Sequence, residues 1–149
     1  MKKLFTILLA LCLLAGLTIP ALAADNVNIT TSINPTYTVT IPADVNVVFN
    51  ATKTGFGAIE VTAAQIHPDK CIKVTLATDG KLENAIDATK VIPYAIQDAA
   101  GNAFTSATYL TEGDQTNLFI IITAEAWNAA YAGEYSDTVT FTVSYENKA

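Results

Sequence analysis

Few side chains in this sequence have chemical reach. His67 is the only histidine; it stands in His67-Pro68-Asp69, with Cys71 two residues further on. In an extended segment His67, Asp69 and Cys71 share one side, an arrangement in which imidazole, carboxylate and thiolate meet one ion. Zinc takes three or four protein ligands, and the surrounding sequence offers no fourth and no alternative third. A Ser-His-Asp system needs the histidine held between nucleophile and orienting acid, and no G-x-S-x-G elbow accompanies His67. The fourteen acidic residues include no marked pair of the kind that cleaves glycosides. Asp98, Asn102, Glu112 and Asp114 have the oxygen chemistry of a calcium loop, but they fall where turns are expected and match no known ligand spacing. The residues therefore point to a protein that is not an enzyme and that holds neither metal nor cofactor.

Three other groups suit contact. Trp127, Tyr131 and Tyr135 recur every four residues. On a helical turn Trp127 and Tyr131 share a face, as the stacking platform of a carbohydrate-binding module would require. The competing role is structural: a tryptophan closing the core and a tyrosine corner holding the last strand. Cys71 is the one cysteine downstream of the leader. Exposed, it would join two chains by a disulfide; buried, it would behave as a small hydrophobe. Val27, Ile29 and Ile33 alternate with polar residues in V-N-I-T-T-S-I-N. They read either as the first strand of the domain or as an apolar strand offered to a neighbour's sheet edge.

The elements that must position these groups follow from periodicity. Residues 1–23 read as a signal peptide: Lys2 and Lys3 precede the apolar Leu4–Leu17 run, and Ala21-Leu22-Ala23 is a small-x-small cleavage site. The run is short for a bilayer span of roughly 20 residues. The chain is therefore expected to be exported to the extracellular space or cell surface, or to a periplasm if the host has an outer membrane, and to have no membrane contact once the leader is removed. Residues 24–149 then form one domain. Its six lysines against fourteen acids, with no arginine anywhere, leave a net charge of −8. That balance excludes nucleic-acid binding, which calls for a basic face.

Along the domain, strands are expected over 27–33, 36–41, 45–49, 56–62, 71–77, 91–96, 105–110 and 118–122. Residues 50–57 read as a loop, 82–88 as a helical turn or weak strand, and 124–131 as a helical turn. The Leu118–Ile122 run of five apolar residues reads as a strand buried on both faces. The clearest strand is Asp137–Tyr145, in which Val139, Phe141, Val143 and Tyr145 alternate with hydroxyl residues. Turn signals at every 8 to 15 residues or so suit an antiparallel β-sandwich.

The closing A-G-E-Y-S-D-T-V-T-F-T-V-S-Y, Ala132–Tyr145, resembles the last strand of small exported bacterial sandwiches. Spore-coat-U-type and fimbrial subunits share its G-x-Y-x-D-T-V-T pattern. T-Y-T-V-T-I-P-A-D-V at Thr36–Val45 and I-P-Y-A-I at Ile92–Ile96 are similar to small secreted immunoglobulin-like surface proteins. The resemblance implies an all-β, antiparallel immunoglobulin-like β-sandwich of about 7–9 strands and an adhesive or structural role at a bacterial surface. Its partners would be further copies of itself in an oligomer or fibre, or a surface protein or glycan. One feature departs from the fimbrial pattern: those subunits usually pair an early cysteine with a second, and here Cys71 stands alone.

Overall fold

A computed structural model describes residues 28–148. The chain divides into two units, Met1–Ser32 and Ile33–Ala149. The signal peptide expected over 1–23, the start of the domain at 24 and Val27 lie outside the described residues. Of the first unit, Asn28–Ser32 is without regular structure and exposed.

The second unit is predominantly antiparallel β. Its strands are β1 (Thr36–Thr40), β2 (Lys53–Gln65), β3 (Lys70–Ala77), β4 (Lys81–Asn84), β5 (Val91–Pro93), β6 (Ala95–Asp98), β7 (Ser106–Tyr109), β8 (Gln115–Ile121), β9 (Tyr135–Ser136) and β10 (Thr140–Asn147). One short helix, α1 (Ala124–Ala129), separates β8 from β9. Among the described residues the strands form three sheets, ordered β1-β2-β8-β6, β10-β3-β7 and β5-β4-β9. The ten strands exceed the seven to nine expected, because residues 91–96 divide at Tyr94 into two strands and because Lys81–Asn84 and Tyr135–Ser136 add two short ones.

β2 is the longest strand and spans much of what the sequence presents as a loop. Its partner register on β8 slips between Gly55 and Gly57, leaving Phe56 as the extra residue of a bulge. A second slip against β1 falls between Thr38 and Val39. Each bulge moves the inward face by one residue. Thr54 therefore faces Ile120 before the first bulge, and Gly57 and Ile59 face Leu118 and Thr116 after it. A strand whose inward parity changes twice has no clean period of two, which is why 50–57 reads as a loop. Gly57 has φ +124°, and a Cβ there would come within 3.2 Å of Pro42 Cβ.

Ile59, Val61, Leu118, Ile120 and Ile96 from the first sheet meet Ile72, Val74 and Tyr109 from the second and Ile92 from the third in one buried cluster. β8 is central in its sheet, as its apolar run suggests, but it is buried on one face only. Leu118, Ile120 and Ile122 are buried, whereas Phe119 and Ile121 are half-buried. The Lys53 ammonium lies 4.0 Å from the Phe119 ring centroid on that outer face, a cation–π contact that also shields the ring.

Three expectations change. Asn28–Pro35 forms no strand, with Ile29 96% and Ile33 69% exposed. Residues 45–49 form no strand either; Val47 packs on the core, but Val48 and Phe49 are 69% and 71% exposed. The strand read as Asp137–Tyr145 starts only at Thr140 and runs to Asn147 as β10, paired with β3, while the short β9 before it pairs with β4. The chain changes sheets at 137–139 and leaves the ladder there.

Tight turns are fixed by carboxylates. Asp98 accepts the backbone N–H of Asn102 and of Ala100, both at 2.9 Å. Asp114 accepts those of Leu110 at 2.7 Å and Thr111 at 3.0 Å. These bonds favour the ionised form and hold both carboxyls below their ordinary value of 3.8. An unfolded chain would titrate at the ordinary value, so the stabilisation is complete above it and is lost as pH falls through the lower folded values. Thermal stability should therefore fall below about pH 4, and D98N/D114N should flatten that acid limb. In urea, Leu118→Ala is expected to cost about 2–5 kcal/mol, and Ile29→Ala under about 0.5 kcal/mol.

Candidate functional site

The segments that leave the ladders frame a cleft. Ile41–Val47 and Asp137–Val139 border it, and neither makes a backbone–backbone hydrogen bond among the described residues. The cleft is open-sided and holds about 960 Å³. Its floor reaches the core at Ile92, Ile96 and Ile120, and its walls carry Phe49, Phe56, Tyr94, Trp127, Tyr135 and Phe141. The charged residues lining it are Asp44, Glu134 and Asp137, with no lysine among them.

Trp127 is placed by α1. Thr123 Oγ1 caps the helix by accepting from Ala126 N at 3.1 Å, a standard helix-start bond. The indole is 9% exposed. Its Nε1 donates to the Ala51 carbonyl at 3.0 Å, and the Phe49 ring meets it edge-on at 5.5 Å between centroids. The helix stops at Ala129, with Ala130 already extended, so Tyr131 leaves the Trp127 face that helical spacing implies.

Tyr131 is 63% exposed, with the Lys90 ammonium 4.9 Å from its ring centroid. Tyr135, half-buried on β9, turns its hydroxyl back onto the chain. That oxygen accepts from Tyr131 N at 3.1 Å and donates to Tyr131 O at 3.0 Å. The bonds close the turn through Gly133, whose φ is +144°. An added Cβ at Gly133 would come within 2.5 Å of Asn84 Nδ2. Asn84 is 6% exposed, and its Oδ1 holds the N–H groups of Ile86 and Asp87 at 2.9 and 3.2 Å. The three aromatics thus come together around a smaller recess beside the cleft, but as wall and corner. Trp127 is 9% exposed and Tyr135 has spent its hydroxyl, so the three rings do not present one exposed face.

The remaining singled-out residues lie elsewhere. Cys71 is 4% exposed, with its Sγ 3.7 Å from the Asn147 carbonyl of β10. β10 covers the thiol, so the interchain disulfide expected of an exposed Cys71 would first require that strand to move. His67 is exposed and its Nδ1 contacts the Asp69 carboxylate; this bond is the main cause of the lowered Asp69 carboxyl. Cys71 does not complete a ligand set with them, and no cluster of three metal-binding side chains occurs among the described residues. Asp98 and Asp114 are engaged with backbone N–H groups of their own turns.

Sequence reasoning passed over Tyr94, Asp137 and Asp44. The Tyr94 hydroxyl donates to Asp137 Oδ2. Thr78 Oγ1 lies 2.7 Å from the Tyr94 oxygen and 3.2 Å from the same carboxylate oxygen. Asp137 Oδ1 accepts from Thr138 N at 2.6 Å. This cluster fixes the chain where it changes sheets. The signal for it was present in the Ser136-Asp137-Thr138 punctuation before the alternating run, but its partners are 43 and 59 residues away. Burial and then the Asp137 bond push the Tyr94 phenol up to about 12.

A phenol raised above its unfolded value of 10 contributes stability that is fully present below that value and is lost as pH rises through the folded one. In an absorbance titration one tyrosine should therefore ionise only near pH 12, and Tyr94→Phe should remove that late step. The same variant should lose about 1 kcal/mol of stability by removing one of the three donors to Asp137.

No protein-family model matches this chain, and no curated protein matches it.

Proposed function

We propose that the protein is a non-enzymatic exported surface protein with an immunoglobulin-like β-sandwich domain, acting as an adhesive or structural subunit that associates with its own kind through strand edges, as in an oligomer or fibre. The observation that carries this reading is the Asn28–Pro35 segment. It has the apolar alternation of a strand, pairs with none among the described residues, and leaves Ile29 96% exposed and Ile33 69% exposed. Exposed β-branched residues in an unpaired stretch favour addition to another sheet. The acceptors are edges such as β1, β7 and β10, each of which has one side without a ladder partner among the described residues; the outer side of β6 is taken by residues 102–104. Three facing sheet segments around one apolar cluster support the sandwich reading, and the G-x-Y-x-D-T-V-T resemblance supports the surface role.

A carbohydrate-binding module built on Trp127 is the alternative from sequence. It is not favoured, because Trp127 is buried and Tyr135 is hydrogen-bonded to its own turn.

Size exclusion of the secreted protein, followed by gels with and without boiling and reductant, tests the proposal. A ladder that boiling alone abolishes is the expected result, and deletion of 25–33 should convert it to monomer with the domain still folded. A monomer at all concentrations would overturn the reading. A dimer sensitive only to reductant would move the interface to Cys71.

A further inference from the structure

We infer that the cleft between Ile41–Val47 and Asp137–Val139 is a docking groove for an extended basic segment of another protein, one that alternates lysine or arginine with apolar residues. This inference goes beyond self-association and does not depend on it.

Three features of the groove lead there. First, its floor is apolar and reaches buried core residues, Ile92, Ile96 and Ile120. Side chains at every second position of a strand would point onto such a floor. Second, both borders are backbone segments without backbone–backbone hydrogen bonds among the described residues. Apart from Thr138 N, which Asp137 takes, and Pro42, which has no N–H, their N–H and C=O groups suit a guest that brings its own backbone, which is how strand addition gains affinity. An isolated small cation would use their C=O groups but none of their N–H groups. Third, the lining charges are all negative: Asp44, Glu134 and Asp137, each on an exposed residue, with no lysine to offset them.

The walls add to the same preference. Phe49 is 71% exposed, and Tyr94 and Tyr135 line the groove beside carboxylates. Aromatic faces next to acids attract ammonium and guanidinium groups that have apolar stems. The outward positions of a bound strand would thus meet carboxylates and ring faces, while the inward positions meet isoleucines. The chain's own Asp25–Asn34 stretch fits this less well. It has the apolar alternation but no lysine, and it carries Asp25.

The probe is an acetylated, amidated octapeptide alternating valine and lysine, titrated calorimetrically into the full exported chain at about 20 mM and about 500 mM salt. Emission from Trp127, the only tryptophan, is followed in parallel. The lysine peptide should bind at least about tenfold tighter than its valine–glutamate counterpart at low salt, and the gap should shrink at high salt. D44N/E134Q should weaken the lysine peptide by about three- to tenfold at low salt and leave the melting temperature unchanged, since both residues are exposed. Equal affinity for the two peptides, or no binding of either at about millimolar concentration, would overturn the inference. Tighter binding of an Asp25–Asn34 peptide would assign the groove to a second copy of this chain. Lysine amide binding as well as the octapeptide would reduce the groove to a small-cation site. Both outcomes also refute the proposal as stated. Self-association on the sizing column is read separately, so either idea can fail while the other stands.

Discussion

Much of this structure depends on one irregularity, the bulge at Phe56 in β2. β2 has to serve β1 on one side and β8 on the other while keeping a single face on the core. Inserting Phe56 between Gly55 and Gly57 resets the parity, so that Ile59 and Val61 face inward with Leu118 and Ile120. Gly57 then adopts φ +124° and presents no Cβ to Pro42. The chain passes close over the strand at that point, and Ile41–Val47 runs on as a border of the cleft rather than as a strand. Phe56 itself becomes cleft wall and meets Phe141 at 5.9 Å between centroids.

The second determinant is the change of sheet at 137–139. An uninterrupted strand from Tyr135 to Asn147 would have to pair with β4 and β3 together, and these belong to different sheets. The break leaves backbone groups without ladder partners, a costly condition unless side chains or water take their place. Asp137 compensates by accepting from Thr138 N and by gathering Tyr94 and Thr78 around its other oxygen. The same break opens one side of the cleft, so the site and the irregularity have one cause.

The aromatic residues show how one set of side chains can suggest two roles. Trp127, Tyr131 and Tyr135 have the spacing of a platform, yet a six-residue helix ends before Tyr131. Trp127 turns inward to Ala51, and Tyr135 secures the turn through Gly133. What remains available for contact is the cleft wall and its acidic rim, both assembled from segments distant in sequence.

Local pattern was enough for the all-β class, for β1, β3, β7 and the core of β10, and for the turns at Asp79-Gly80 and Asp98–Asn102. In each of these, side-chain parity or a carboxylate over its own backbone acts within a few residues. The edge position of β5 was legible too, from Pro93. Tertiary structure decided the rest. Bulges hid β2 because they break the period that identifies a strand. Cys71 sits on the outward parity of β3 but is covered by β10, a contact 76 residues away. Asp44, Tyr94 and Asp137 have no spacing that links them, and only the packing of the sheets brings them to one cleft. Periodicity reports which face a strand buries; it carries no information about which distant chain segment lies across that face.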